Sequence, residues 1–330
     1  MRSQGLTRRR MITISAATAG SLLAGRLHAT PVAEPVRWRG SALGAQVSIE
    51  MYHPDRIEAE RLITVSIAEV QRLEALFSLY QPSSAICELN RSGVLIAPDP
   101  DLVTLLQTSL GYADLTGGAF DPTVQPIWRL YQDHFASERA DPAGPSLQRL
   151  SETLGKVGHA HLRVGADRIV LAHRGAAITL NGIAQGYATD RIVALLRHAG
   201  VSTTLVDMGE IRALGARLDG TPWRVGLGDA DQPGKLSETI TLVDRAVATS
   251  AASGFRFDPD GRFTHLFDPH TGRTPALYRS VSVIAPTATE ADALSTAFSL
   301  MPLPAIRNLI ANKNDVEVHL VDRDGRTLRA

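Results

Sequence analysis

Residues 178–190 read ITLNGIAQGYATD and join an apolar segment to an amphipathic one. Two glycines, an Asn and a closing Asp at such a junction are typical of a tight turn from a strand into a helix. Because glycine lacks a Cβ, its backbone can approach another group closely, and the amides that open a helix favour an anion such as a phosphate. The spacing is not the G-x-G-x-x-G pattern of dinucleotide-binding turns, and a purely structural turn fits the residues equally well.

The elements around this stretch mix helices and strands without regular βαβ alternation. Helical periodicity predicts helices over residues 55–77, 101–115, 184–199, 290–301 and 305–312. A strand pair is expected around Gly40 and Gly44, and residues 133–146 have the composition of a surface loop. Further strands are predicted over residues 168–171, 176–180, 204–206, 211–214, 223–226, 238–243, 263–267, 280–284 and 316–321. The pattern predicts an α+β fold with mixed sheets and flanking helices in two lobes.

The composition excludes several classes of function. Among 330 residues, 34 are Lys or Arg and 34 are Asp or Glu, so no overall basic field attracts nucleic acid. The single cysteine, Cys87, excludes an internal disulfide and a cysteine-based metal site.

The first 29 residues have the pattern of an export signal. Three arginines at positions 8–10 precede an apolar run over residues 11–24, and Leu27-His28-Ala29 follows as a cleavage site of the small-residue type. Paired arginines at this place indicate the twin-arginine route, and the mature domain then spans residues 30–330. An ordinary secretory signal or a membrane anchor are the alternatives, but the run is shorter than the ~20 residues that a spanning helix needs.

A second stretch, ATEADALSTAF at residues 288–298, pairs a carboxylate with a hydroxyl. Asp292 and Thr296 stand at i and i+4, so they share one face of the predicted helix. Oxygen ligands of this kind suit a hard cation such as Mg²⁺. The alternative is that Asp292 stabilises the helix dipole while Thr296 packs in the core.

Two more stretches carry groups that could act in chemistry. His265 in THLFDPHTGRTP, residues 264–275, is a candidate proton acceptor next to a tight turn, or else a hydrogen-bonded turn residue. In GGAFDPTVQP, residues 117–126, Phe120 offers an aromatic face and Asp121 an acceptor for a ribose or adenine. Taken alone, this second stretch is an ordinary loop.

Taken together and in this order, the stretches resemble the ApbE family of FAD:protein FMN transferases. The resemblance runs from about Gly40 to Val321 and includes RLEALFSLYQPSSAICELNRSG (72–93), GGAFDPTV (117–124), LNGIAQGYATD (180–190), VDMGEIRALG (206–215), VATS (247–250), HLFDPHTGR (265–273) and ADALSTAF (291–298). The wording LNGIAQGY is most similar to the NosX branch, which is associated with nitrous oxide respiration. The resemblance implies the ApbE-type flavin transferase fold.

The resemblance also implies roles for individual residues. FAD is expected at Leu43, Tyr80, Ala119, Phe120, Asp121, Thr179, Gln185 and Leu266. Mg²⁺ is expected at the Gly182 carbonyl and at the side chains of Asp292 and Thr296, and the catalytic residues are expected to be Asp292 and His265.

The chain departs from the family pattern at two of these positions. The family usually has Asp where this chain has Thr179, and Lys where it has Gln185. The two changes are opposite in charge, so we interpret them as a paired replacement, in which a neutral Thr–Gln pair stands for an ion pair. Without compensation, the lost charge-assisted hydrogen bonds would weaken FAD binding by about one to two decades.

The implied reaction is the Mg²⁺-dependent transfer of FMN from FAD to a Ser or Thr hydroxyl of a client flavoprotein, with release of AMP. The implied setting is the periplasm, and the implied client is a membrane protein similar to NosR that serves nitrous oxide respiration, while the mature chain itself has no membrane span. Two alternatives stay open: a periplasmic flavin-binding or carrier protein without transferase activity, and an FAD pyrophosphatase.

Overall fold

The computed structural model describes residues 34–228 and 234–330, so the predicted export signal lies outside the described residues. Helices in these ranges are α1 (Arg56–Phe77), α2 (Ala85–Ser92), α3 (Pro100–Leu115), α4 (Gln125–Phe135), α5 (Leu147–Leu154), α6 (Ala184–His198), α7 (Ala288–Phe298) and α8 (Leu303–Ile310). Strands are β1 (Val36–Ala42), β2 (Ala45–Met51), β3 (Val94–Ile96), β4 (Leu162–Val164), β5 (Arg168–Leu171), β6 (Thr204–Asp207), β7 (Ile211–Leu214), β8 (Trp223–Gly228), β9 (Leu236–Leu242), β10 (Ala246–Ala251), β11 (Tyr278–Ala285), β12 (Glu317–Asp322) and β13 (Thr327–Arg329).

One large antiparallel sheet organises the molecule. Its eight strands lie in the order β1-β2-β6-β7-β10-β11-β12-β13, and each pair of neighbours is antiparallel. A three-stranded sheet (β3-β5-β4) and a two-stranded ribbon (β8-β9) accompany it. Antiparallel neighbours need no helical crossover between them, which confirms the α+β class expected from the irregular order of elements.

Alternation along the strands separates two cores on the two faces of the large sheet. On β11, Val283 belongs to the main core with helices α1, α6 and α7, and the next residue, Ile284, belongs to a second core. The β8–β9 ribbon closes this second core through Trp223 and Leu242. Successive strand residues point to opposite faces, so a strand buried on both sides carries apolar residues on both faces, as Val283, Ile284 and Ala285 do at the end of β11.

A third, aromatic core lies at the centre of a smaller lobe around α4 and α5. The ring of Tyr131 packs at centroid distances of 5.1–5.8 Å from Phe257, Phe263 and Phe267. Tilted and edge-on rings at these distances contribute packing energy beyond the area they bury. The segment that carries His265 is therefore held by its neighbouring phenylalanines rather than by a sheet.

The first hairpin is set by its two-residue turn. The ladder ends at the pair Ala42 and Ala45, and the turn residues Leu43 and Gly44 have φ of 49° and 73°. Positive φ at both positions is the geometry of the type I′ turn that joins twisted strands tightly. Leu43 holds this conformation at the hairpin tip although it has a side chain, which is uncommon for a non-glycine residue.

Helices α6 and α7 cross in direct backbone contact, and Gly186 permits it. A Cβ at Gly186 would lie 2.3 Å from the Ala288 carbonyl oxygen and 2.9 Å from the Cβ of Asp292. The group that this part of the opening stretch approaches closely is thus the first turn of α7. Any side chain larger than hydrogen would force the helices apart.

Two predicted strands, at residues 176–180 and 263–267, do not form in the structure. Residues 176–180 are extended but pair with no strand, because the Asn90 side chain donates to the Ile178 carbonyl at 2.8 Å and accepts from its amide at 2.6 Å. Around residues 263–267 only an isolated bridge between Arg256 and Thr264 forms. Both segments are apolar because they are packed, and periodicity alone cannot distinguish this from a strand.

The remaining expectations agree with the structure to different degrees. Helices α1, α3 and α6, the first hairpin and strands β5 and β7 lie where they were predicted, and α7 and α8 begin two residues earlier. Helix α4 extends to Phe135, so the predicted surface loop begins after that residue. Helices α2, α4 and α5 and strands β3, β4, β10 and β13 were not predicted.

Replacing Gly186 by Ala is expected to destabilise the protein by about 1–3 kcal/mol or more, because the added methyl group overpacks a backbone contact. Gly111 is the matched control, since it also lies within a helix but a Cβ there would meet nothing within 4 Å. Gly111→Ala is expected to be neutral or to stabilise by up to about 1 kcal/mol. Urea unfolding of both variants measures the difference, and equal stabilities would contradict the close crossing.

Candidate functional site

The start of α6 receives a carboxylate from the neighbouring helix. No side chain of α6 itself caps its first turn, and the Gly186 amide donates to Asp292 Oδ2 at 3.0 Å. An anion at this place is stabilised by the free amides and the dipole of the helix. The sequence predicted that this helix start favours an anionic group such as a phosphate, and in the structure the carboxyl group of Asp292 from the same chain accepts from the Gly186 amide.

Gly182, Asp292 and Thr296, the three residues predicted to bind Mg²⁺, come together at this crossing. Thr296 Oγ1 lies 2.8 Å from the point that a Cβ on Gly182 would occupy. Asp292 stands one turn before Thr296 on α7 and contacts Gly186, four residues after Gly182. The i, i+4 spacing therefore sets a carboxylate and a hydroxyl against the turn that opens α6.

Ser250 of β10 contacts α7 through its hydroxyl group. Its hydroxyl is 2.9 Å from Ser295 Oγ and 3.5 Å from Thr296 Oγ1. Ser295 in turn donates to the Asp292 carbonyl at 3.0 Å. These hydroxyls link the sheet to the face of α7 that carries the predicted ligands.

Three carboxylic acids lie around this point, of which Asp292 and Glu210 are buried and Asp207 is half-buried. Burial raises the pKa of Asp292 to about 7, although the hydrogen bond from Gly186 opposes the shift. Burial also raises the pKa of Asp207 to about 6, against a hydrogen bond from Gly209. The pKa of Glu210 is raised well above its usual range by burial, and next by the charges of Asp292 and Asp207.

Asp207 and Glu210 were not predicted from the sequence, and Glu210 is the more unusual of the two. It is 8% exposed, and its Oε2 has no hydrogen-bond partner among the described residues. A buried carboxylate without a partner is strongly unfavourable unless it is neutral or near a cation. The acids therefore fit a bound cation, which would relieve the repulsion between them.

The predicted cation site differs from a cluster of acidic and imidazole ligands. Within the described ranges, no group of three or more His, Cys, Asp or Glu side chains is arranged to hold a metal ion. The predicted set has one carboxylate, one hydroxyl and one backbone carbonyl. Mg²⁺ accepts such a partial set because it usually retains water and substrate phosphate oxygens.

Gln185 reaches the tip of the first hairpin. Its side-chain amide donates to the Leu43 carbonyl at 3.3 Å, and a Cβ at Gly209 would lie 2.5 Å from its side chain. The Thr179 hydroxyl accepts from the Asn181 amide at 3.2 Å. The hydrogen bonds of Thr179 and Gln185 thus go to different partners, so the hypothesis of a direct neutral Thr–Gln pair is not supported by the structure.

The predicted FAD residues 119–121 lie in a loop that is fixed by hydrogen bonds to the Asp121 side chain. Asp121 accepts from the Thr123 amide at 2.7 Å and from the His159 amide at 2.9 Å. Phe120 is only 4% exposed and packs in the main core, so its ring face is not open to a ligand. Ala119 is half-buried beside it, and this loop therefore presents mainly backbone groups.

The loop also contacts two other predicted stretches. The Thr179 amide donates to the Pro122 carbonyl at 2.8 Å. His270 Nε2 lies 3.0 Å from the Gly117 carbonyl oxygen. The segments around residues 120, 180 and 270, distant in sequence, are thereby brought side by side.

His265 lies in a bend and is held by the backbone of Phe255. Its amide donates to the Phe255 carbonyl at 3.3 Å, and its Nδ1 lies at the same distance from that oxygen. Burial lowers the pKa of His265, so the imidazole is neutral at pH 7. In the tautomer with its proton on Nδ1, His265 donates a hydrogen bond to the Phe255 carbonyl, and Nε2 is the nitrogen that can accept a proton. Leu266, which follows, is half-buried.

Two further features concern the predicted FAD residues, namely the exposed side chain of Tyr80 and a cavity beside the first hairpin. Tyr80 follows α1 and is 57% exposed. A cavity of about 210 Å³ lies between the hairpin and α1, with Ala42 and Met208 among its lining residues. Ala42 precedes Leu43, and Met208 precedes Gly209, which contacts the Gln185 side chain, so the cavity lies near two of the predicted FAD residues.

The chain is similar in sequence to known proteins. A family model described as the ApbE family matches residues 43–320. The FAD:protein FMN transferase of Treponema pallidum (strain Nichols) is 34% identical over 248 residues, which cover 69% of this chain and 68% of that protein.

Two solved structures have the same fold. The ApbE protein of Thermotoga maritima superimposes with a TM-score of 0.79 at 28% identity, over 90% of this chain and 97% of that one. The flavin transferase ApbE of Vibrio cholerae gives 0.77 at 25% identity, over 90% and 96%. The fold and its elements are thus shared over nearly the whole described chain.

The buried acids predict a pH-dependent stability. Because the folded pKa of Asp292 is raised to about 7, its contribution to the free energy of unfolding is present below its unfolded pKa and is lost as the pH rises through 7. Between pH 5 and 7, metal-free protein is expected to lose up to about 1.4 kcal/mol per pH unit from this group.

Asp292→Asn removes this titration and keeps an acceptor for the Gly186 amide. We expect its stability to fall less steeply over the same pH range, as measured by urea unfolding in chelator-treated buffer. Parallel curves for the two proteins would show that Asp292 is not a buried acid.

Proposed function

The chain belongs to the ApbE family, and from that premise we propose that it is an FAD:protein FMN transferase. It transfers FMN from FAD to the hydroxyl of a serine or threonine in a client protein and requires Mg²⁺. The family membership supports the flavin transferase activity. The convergence of Gly182, Asp292 and Thr296 at the α6–α7 crossing supports the requirement for a cation.

The residues around the crossing divide into two groups by chemistry. Gly182, Asp292 and Thr296 would hold the Mg²⁺, which when bound neutralises phosphate charge and polarises the reacting phosphorus. Leu43, Gln185 and the loop at residues 119–121 would hold FAD. The Gln185 hydrogen bond to the Leu43 carbonyl fixes the hairpin tip on this side.

The reaction forms one bond and breaks one. The client hydroxyl oxygen bonds to the FMN phosphorus, the bond from that phosphorus to the bridging diphosphate oxygen breaks, and AMP leaves with the electron pair. The hydroxyl proton goes to a base. His265 is suited to this role because its lowered pKa keeps the ring neutral and Phe255 orients Nδ1, so that Nε2 accepts.

We further propose that the protein acts after export and serves a membrane client of nitrous oxide respiration. Export is supported by the three arginines and the apolar run within the first 29 residues. The respiratory client is supported by the motif LNGIAQGY at residues 180–187. None of the described helices has the length and apolarity to cross a bilayer. A client anchored in the membrane would present its acceptor residue to this protein.

Asp292→Ala is expected to abolish FMN transfer because the predicted carboxylate ligand is removed. The fold is expected to be retained because alanine is smaller than aspartate and clashes with no neighbour. The purified protein is incubated with FAD, Mg²⁺ and a client domain, and flavin fluorescence of the client is read on a denaturing gel. The wild type should label the client and Asp292→Ala should not, at any Mg²⁺ concentration.

The same assay separates the alternatives. Free FMN released without client labelling would indicate an FAD pyrophosphatase. Binding of FAD without turnover would indicate a flavin carrier. Full client labelling by Asp292→Ala at added Mg²⁺ would contradict the metal assignment while leaving the transferase activity intact.

A further inference from the structure

Asp190, the last residue of the opening stretch, binds the start of α7. Its Oδ1 accepts from the Ala288 amide at 2.9 Å, and its Oδ2 accepts from the amide and the hydroxyl of Thr289 at 2.8 and 2.5 Å. The first residues of a helix have amides without intrahelical partners. Asp190, from another helix, accepts from two of these amides. In addition, the Thr287 side chain caps α7 in the usual way by accepting from the Glu290 amide.

The contact is reciprocal between the two helices. Asp190 of α6 accepts from the first turn of α7, and Asp292 of α7 accepts from Gly186 in the first turn of α6. Asp190 lies one turn after Gly186, and Asp292 lies one turn after Ala288. Two carboxylates thus fix both the rotation and the translation of α7 against α6.

Arg212 of β7 holds the carboxylate of Asp190 in this position. Its Nη1 lies 2.5 Å from Asp190 Oδ1, and both side chains are mostly buried, at 14% and 16% exposed. A buried Arg–carboxylate pair of this kind limits the rotamers available to the acid. The sheet, α6 and α7 therefore meet at one carboxyl group.

We propose that Asp190 is a positioning residue, which sets Asp292 and Thr296 in register with Gly182 by anchoring the first turn of α7. The inference rests on the proposed function, in which those three residues bind the cation. Asp190 does not touch the cation or the substrate. It acts on them only through the placement of α7.

The test compares Asp190→Asn with Glu290→Gln in the metal-free protein. Glu290 is 15% exposed, also lies in the first turn of α7, and forms an ion pair with Lys313 at 2.8 Å. Each substitution removes one negative charge near the start of α7, so their difference reports the hydrogen bonds from Asp190. Both variants keep the residues predicted to bind FAD and Mg²⁺.

The first measurement is hydrogen exchange at the Gly186 amide, without metal or FAD. In Asp190→Asn we expect the Gly186 amide to exchange about tenfold or more faster, after correction for any change in global stability. The reason is that the hydrogen bond from this amide to Asp292 is then broken more often. In Glu290→Gln we expect the exchange rate to change by no more than about twofold. The second measurement is the Mg²⁺ concentration that half-saturates thermal stabilisation, which should rise about fivefold or more in Asp190→Asn only.

Equal effects of the two substitutions on both readings would overturn the positioning role. If Asp190→Asn does not fold, Thr289→Ala decides, because it removes only the hydroxyl contact; about threefold faster Gly186 exchange supports the role and unchanged exchange overturns it. If Mg²⁺ does not stabilise even the wild type, the proposed cation fails, and the Gly186 exchange still decides the role of Asp190.

Discussion

The hydrogen bond from the Gly186 amide to the Asp292 carboxylate is the contact on which the site depends. It exists because Gly186 lets the Ala288 carbonyl approach closer than any Cβ would allow. The same crossing sets Thr296 against Gly182. The close approach of these two helices therefore brings together the three residues predicted to bind the cation.

Close packing also gives the site its electrostatic character. Asp207, Glu210 and Asp292 are taken out of water by the sheet and the helices, and burial raises the pKa of each. Without a cation these acids favour their neutral forms, and with one they favour their charged forms. Binding of the proposed cation would therefore be coupled to proton release and to stability, because a metal replaces protons on buried carboxylates.

Local sequence signals predicted much of the fold and part of the site. Helical periodicity predicts the amphipathic helices α1 and α6 and places Asp292 and Thr296 on one helix face. This signal is local and does not depend on what the helix packs against. The extended segment at residues 176–180 was misread because the side chain of Asn90, 88 residues from Ile178, replaces a strand ladder. Glu210 and Asp190 were missed because an acid beside a glycine or at the end of a turn motif has the sequence appearance of a solvent-exposed residue. Only the tertiary structure shows that both are mostly buried.

An anomalous difference map from crystals soaked in Mn²⁺, which binds the same oxygen ligands as Mg²⁺, would test the central claim most directly. We expect a peak within coordination distance of the Asp292 carboxylate, the Thr296 hydroxyl and the Gly182 carbonyl. A strong peak elsewhere, with none between α6 and α7, would contradict it.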